Sequence, residues 1–407
     1  MTACVEPRPP EQLAPVTRRI TGVDAARAVA LLGMFTAHIL PLNTADGGQT
    51  AIGLLVDGRA SALFVVLAGV GVALGTGGPR RPPDTWSHLA AASGLLVRGV
   101  LVALLGLWLV GIDPPVAVIL TQYGLLFVVA ALSLRLTAGA LACAAVLVCG
   151  IAPVASHVLR AGLPAGPGEQ PGFEALAEVD ELLVTLAVTG YYPVLPLSAL
   201  LLAGMAVGRL DLHRRRTALR LVGGGAALAA LATAASALLL GPGGGAAAIG
   251  RLELARRHHG TTPTDSWWWL AVDAPHSGTP LDLAGTTGTA LAVLGAALLL
   301  ARLARPLVWV LAAVGSVPLT LYTAHVLAVT VIPGGTDHAG MVLLWNVAGA
   351  VVVGVALRLT DRRGPLEWAV STAGRTTRRA CIACDGRGHH SSPAGRLANM
   401  PGSSVSR

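Results

Sequence analysis

Three side chains on one apolar stretch define the chemistry open to this chain. Asp24 and Arg27 stand three residues apart at its start, and His38 stands near its end. On a helix, a spacing of three puts acid and base on one face. The pair is either a structural ion pair that fixes the helix or a handle for an anionic group, since a guanidinium matches phosphate geometry. His38 lies eleven residues past Arg27, about 16 Å along a helix at 1.5 Å per residue. Its imidazole suits a general base toward a hydroxyl or amine. The alternative is a satisfied packing histidine. Charges inside an apolar span cost about 2.5–3.5 kcal/mol each on insertion scales, so they are kept for function or for a paired internal site.

Other polar residues fall near the end of the spans that holds His38. Asp57 and Arg59 enter a second apolar run there, and Asp57 can orient a histidine as a carboxylate does in a triad. Gln122, Tyr191 and Tyr192 lie at the same level, as substrate contacts or as interfacial residues. Ala274-Pro-His276-Ser277-Gly-Thr279 reads as a turn that presents His276 to a substrate or caps the next helix. His325 sits one turn beyond Tyr322, as an alternative base or an interhelical hydrogen bond. Arg98, in the inner third of another run, is a second candidate for the anion side, or snorkels to headgroups. Cys381, Cys384, His389 and His390 have the spacing of a single zinc-type repeat in a disordered-looking tail, so no metal site is expected.

The elements that must position these residues are apolar helices. The composition is 54% hydrophobic and 12% charged, against about 25% charged in soluble domains. An all-α, polytopic transmembrane bundle follows. The chain contains no lysine, so arginine carries the net charge of +8. Arginines between spans orient the protein and touch anionic lipid; no nucleic-acid pattern is present. Five cysteines form no disulfide framework.

About ten runs have the length to cross: 23–40, 54–75, 89–111, 116–134, 138–159, 183–208, 218–240, 283–303, 307–332 and 341–359. The first reads as an uncleaved anchor. Arginine clusters at 18–19, 80–81, 135, 209–216, 302–305 and 358–363 alternate with connections poor in positive charge, so both termini are expected in the cytoplasm. Trp267, Trp268 and Trp269 read as an interfacial anchor. The expected organisation is a cytoplasmic tail (1–20), a membrane domain (21–368) and a disordered cytoplasmic tail (369–407).

Arg19-Ile-Thr-Gly-Val-Asp-Ala-Ala-Arg27, Asp57-Gly-Arg-Ala-Ser-Ala-Leu-Phe64 and Leu67-Ala-Gly69 resemble the bacterial relatives of heparan-alpha-glucosaminide N-acetyltransferase. The C-terminal half resembles the family of unknown function numbered 418. That likeness rests on Thr189-Gly-Tyr-Tyr-Pro193, Gly204 to Arg209, Leu319-Thr-Leu-Tyr-Thr-Ala-His325 and Gly364-Pro-Leu-Glu-Trp368. The spacing of Asp24, Arg27 and His38 also resembles the first helix of the acyltransferase-3 family. In one respect the chain departs: the animal-type acetyltransferase has its proposed catalytic histidine in the loop after the first span, and here Pro41–Gly53 has none.

The resemblance implies a multi-pass enzyme of the cell membrane. It would move an acyl group, acetyl by expectation, from cytoplasmic acyl-CoA to an extracytoplasmic sugar or envelope glycan. No tightly bound cofactor is implied; acetyl-CoA or another acyl-CoA is a co-substrate. In that scheme Asp24, Arg27 and Arg98 hold the donor. His38, Asp57, His276 and His325 are the catalytic candidates, and Arg59, Gln122, Tyr191 and Tyr192 contact the acceptor. A small-molecule transporter is the alternative, since intramembrane His, Asp and Arg also line relay and substrate paths. A non-catalytic envelope-assembly protein is the third.

Overall fold

Ala, Leu, Val and Gly runs fold as helices because in lipid every backbone donor and acceptor needs an internal partner. A computed structural model of the chain describes residues 19–44, 48–82, 84–163, 170–254, 258–332 and 338–390. The helices are α1 (Thr21–Ile39), α2 (Ala51–Val56), α3 (Arg59–Gly75), α4 (Thr85–Val110), α5 (Gln122–Ser133), α6 (Ala138–Ala161), α7 (Val179–Val184) and α8 (Val194–Gly208). There follow α9 (Arg215–Leu240), α10 (Gly245–Ile249), α11 (Arg251–Leu254), α12 (Pro280–Leu303), α13 (Arg305–Val314), α14 (Pro318–Val331), α15 (Ala339–Leu359) and α16 (Pro365–His390). No strand occurs among the described residues, and one isolated bridge pairs Asn43 with Gln49. This is an all-helical, multi-pass membrane protein.

Among the described residues, six stretches are long and apolar enough to cross a membrane: Ala51–Gly75, α4, α6, α9, α12 and α15. Two bent pairs raise the count to eight, one broken by 62° before α8 and one by 66° between α13 and α14. Ten was the expectation. The 116–134 run shrinks to the 12 residues of α5, because residues 116–121 form no helix; Gln170 accepts from the Val118 N–H and donates to the Val116 carbonyl (3.3 Å). The α5 length of about 18 Å falls short of a ~30 Å hydrocarbon core. The first run forms α1, whose Asp24 and Arg27 lie inside the bundle rather than in lipid.

Helix α1 is the axis of the bundle. Ala25, Ala26, Ala28, Ala30 and Leu31 are buried, and α3, α12, α13 and α15 surround it. Close approach depends on residues without bulk. A side chain at Gly315 would collide with the Asp24 carbonyl, so the α13–α14 break rests on the α1 backbone. Arg209, part of a predicted orienting cluster, is buried instead. It donates to the carbonyls of Gly78 (2.9 Å) and Leu134 (2.7 Å), satisfying acceptors left open where α3 and α5 end.

Two sequence expectations are corrected here. Residues 369–390 continue α16 rather than a disordered tail; residues 391–407 lie outside the described set. The helix persists because it packs on α4, where Gly374 lies against the Gly94 carbonyl and Cys381 Sγ lies 3.3 Å from Ser93 Oγ. The side chains of Cys384, His389 and His390 are outside the described set. At the other end of α16, Glu367 accepts from the backbone N–H groups of Leu319 (2.7 Å) and Thr320 (3.1 Å), capping α14. The second correction concerns the tryptophans. Trp267–Ala271 is a 3₁₀ turn, whose three residues per turn send successive side chains in different directions. Trp267 is exposed, but Trp269 is buried and donates to Asp265 (2.8 Å).

Candidate active site

Both ends of α1 open onto cavities. The end at His38 opens onto a cavity of about 950 Å³. Its lining includes His38, Asp57, Tyr191, Tyr192, His276 and Tyr322. The end at Asp24 and Arg27 opens onto a cleft of about 350 Å³, lined also by Arg19, Gly71, Gly75, Gly77, Gly78 and His213. The two share no lining residue, and the packed middle of α1 and α3 lies between them.

Three loops meet at the large cavity. The α2–α3 turn carries Asp57, the break before α8 carries Tyr191 and Tyr192, and the segment before α12 carries His276. Asp57 Oδ1 stands 3.4 Å from His276 Nε2. His276 (φ 58°) and Tyr192 (φ 55°) both occupy the left-handed region, uncommon for bulky side chains and typical of functional sites when the surroundings hold it. The surroundings do so here: Gly260 N–H donates to the His276 carbonyl (2.6 Å), and Tyr192 N–H donates to that of His259 (3.3 Å). The Tyr192 and His276 rings meet edge to face at 5.3 Å.

His38 belongs to a second array. Its Nδ1 is 3.1 Å from His325 Nε2. His325 Nδ1 is 2.9 Å from Asn346 Oδ1, and the Asn346 amide nitrogen donates to the Val342 carbonyl (2.9 Å). Phe35 stacks on His325 with ring centroids 4.0 Å apart. The array joins α1, α14 and α15.

The mouth of the cavity adds residues that the sequence did not single out. His258, His259, Gln170 and Asp273 line it. The His259 ring lies 4.6 Å from that of Tyr191. Burial holds the Asp273 carboxyl above the ordinary range, against the Thr233 hydroxyl that donates to it. Burial also pushes the His258 imidazole below its usual range.

Some expected contacts lie elsewhere. Gln122 is buried and does not line the cavity; its amide donates to the Tyr191 carbonyl (2.8 Å), holding the break before α8. Arg59 also lies outside the lining and folds back to the Leu54 carbonyl, one turn away. His325 reaches the cavity only through His38. Arg98 does not join Arg27; it lies against Gly374 of α16, so its snorkel-length stem serves helix packing.

At the other end, Arg27 Nη1 donates to Asp24 Oδ1 at 2.8 Å. Asp24 is buried, whereas the Arg27 side chain keeps 26% of its exposure. A Cβ at Gly71 would stand 2.7 Å from Arg27 Nη2, so the glycine makes room for the guanidinium. A fixed, half-open guanidinium beside a glycine-rich turn is suited to an anion. Among the described residues, no group of three metal-ligating side chains gathers anywhere.

Residues 19–240 match the family described as Heparan-alpha-glucosaminide N-acetyltransferase, catalytic. The chain belongs to that family. The match spans both ends of α1, with Asp24, Arg27, His38 and Asp57 inside it. His276, His325 and Asn346 come from the C-terminal half beyond it. The family therefore covers one partner of each histidine pair, and the likeness to the family numbered 418 rests on the motifs quoted above. No curated protein matches the chain.

Proposed function

We propose that the protein transfers an acetyl group from cytoplasmic acetyl-CoA to an amine or hydroxyl of an extracytoplasmic sugar or envelope glycan. The observation that carries this is the pairing of two unlike cavities on one helix of an acetyltransferase family. The Arg27 cleft takes the donor's phosphates. The His38 cavity takes the acceptor and the thioester. His38 accepts the proton as the acceptor's nitrogen or oxygen attacks the thioester carbon. A new C–N or C–O bond forms, the C–S bond breaks, and the proton passes to the departing thiolate. Asp57 orients His276 across the cavity. Because the cavities share no lining residue, the packed stretch of α1 and α3 opens to admit the donor's arm.

The test uses purified protein in lipid with labelled acetyl-CoA and, separately, an amino sugar, a sugar bearing only hydroxyls, and envelope glycan. Transfer of label to at least one acceptor is expected. Topology is tested with single cysteines near residue 268, which an impermeant reagent should label in intact cells. Labelling there only after permeabilisation reverses the orientation.

One observation favours the transporter reading. Cavities at opposite ends with a packed centre, flanked by two broken helix pairs, also suit alternating access. Solute uptake into proteoliposomes without any acetyl transfer would select it.

A further inference from the structure

The array behind His38 determines which of its nitrogens carries a proton. Asn346 supplies the starting point. Its amide nitrogen donates to the Val342 carbonyl at 2.9 Å, so the group facing His325 is the amide oxygen. That oxygen can only accept. His325 Nδ1, 2.9 Å away, must therefore donate. In a neutral imidazole, the other nitrogen is then an acceptor. His325 Nε2 is 3.1 Å from His38 Nδ1, so His38 Nδ1 carries the hydrogen. His38 Nε2 is left with a lone pair.

We propose that Asn346 and His325 are positioning residues that hold His38 in its Nδ1–H tautomer and so present Nε2 as the base. The inference rests on the acetyl-transfer reading for what the base attacks, but not for the tautomer itself. The stacked Phe35 fixes the His325 plane, so the array cannot relax by turning that ring. The array ends in an amide rather than a carboxylate. An amide aligns a ring but takes no proton at working pH. The proton His38 gains during transfer thus stays on the two imidazoles and is available for the leaving thiolate. All three groups sit on separate helices, two of them in the C-terminal half. The titratable groups around His38 are His325 and Tyr322 on α14 and, around the cavity, Asp57, Tyr191, Tyr192, His258, His259, Asp273 and His276.

Two variants and one spectroscopic readout test this. Asn346→Leu removes the acceptor. It should lower turnover roughly 10–100-fold, at or below the lower end of the range for base catalysis because the base itself remains, with Michaelis constants for donor and acceptor unchanged. Asn346→Asp restores an acceptor for His325 Nδ1. It should recover most of the turnover and move the acid limb of the rate profile to higher pH, because a carboxylate stabilises the imidazolium. Protein carrying ring-¹⁵N histidine, in lipid, reports the tautomer directly, with His38 identified by its loss in His38→Gln. A protonated Nδ1 is expected in the parent and a tautomer mixture in Asn346→Leu. Equal losses in Asn346→Leu and Asn346→Asp would overturn the proposal, as would an unprotonated Nδ1 in the parent. If the parent transfers no acetyl group, the acetyl-transfer reading fails on its own and the ring spectrum decides the tautomer.

Discussion

The two ends of α1 are built on opposite physical plans. At Arg27 the cleft is small, charged and framed by glycine backbone. At His38 the cavity is larger and lined by imidazoles, tyrosines and carboxylates, with no arginine among the described residues of its lining. A guanidinium holds an anion by charge at any working pH, whereas an imidazole is the side chain suited to passing a proton. Helices α1 and α3 contribute to both. On the proposed function, the difference separates donor binding from proton transfer by about 16 Å of helix, so that each can be altered independently.

The largest expected effect breaks the proton-transfer end. His38→Ala should cut turnover about 10²–10⁴-fold while leaving the donor constant unchanged. A matching rise in the donor constant would merge the two ends into one site. His276→Ala and Asp57→Asn act in the same cavity through the second pair. Each should cost turnover at roughly the lower end of that range, ~10²-fold or less, measured in the same assay. A greater loss in His276→Ala than in His38→Ala would pass the base role to His276. At the binding end, Arg27→Gln removes a charge-assisted contact of about 1.5–3 kcal/mol, so the donor constant should rise roughly 10–100-fold with turnover preserved. Donor titration at two salt concentrations checks it, and failure to insert or fold would return Arg27 to a purely structural ion pair. The smallest effect is at Arg98. Because it packs on α16, Arg98→Gln should shift the donor constant by no more than about twofold, the scale of substitutions away from a site.

Much of this placement was legible in the sequence because rare polar residues in apolar runs carry information. Asp24, Arg27 and His38 fall on one helix as their spacing requires, and Asp57 does meet a histidine. What composition cannot express is which helices touch. Arg98 reads as a donor ligand until α16 covers it. Residues 369–390 read as disorder, and only the close approach of Gly374 to Gly94 gives the helix a place to pack. Asn346 was not singled out in the sequence, where it is one amide in an apolar run. Its meaning depends on His325, which lies 21 residues away on another helix. The helix breaks escaped notice because Gly190 and Gly315 sit inside runs whose mean hydropathy stays high.

The cap that Glu367 places on α14 also bears on how the protein comes into being. His38 leaves the ribosome early, and its partners His325 and Asn346 follow about 300 residues later, with Glu367 behind them. At 5–20 residues per second, that interval is ~15–60 s. Throughout it the histidine is inserted without the ring that orients it, and α14, once made, lacks the acceptor for its first donors for a further ~2–10 s. On the proposed function, a nascent chain is therefore chemically silent, and the site is completed by one of the last helices to be made.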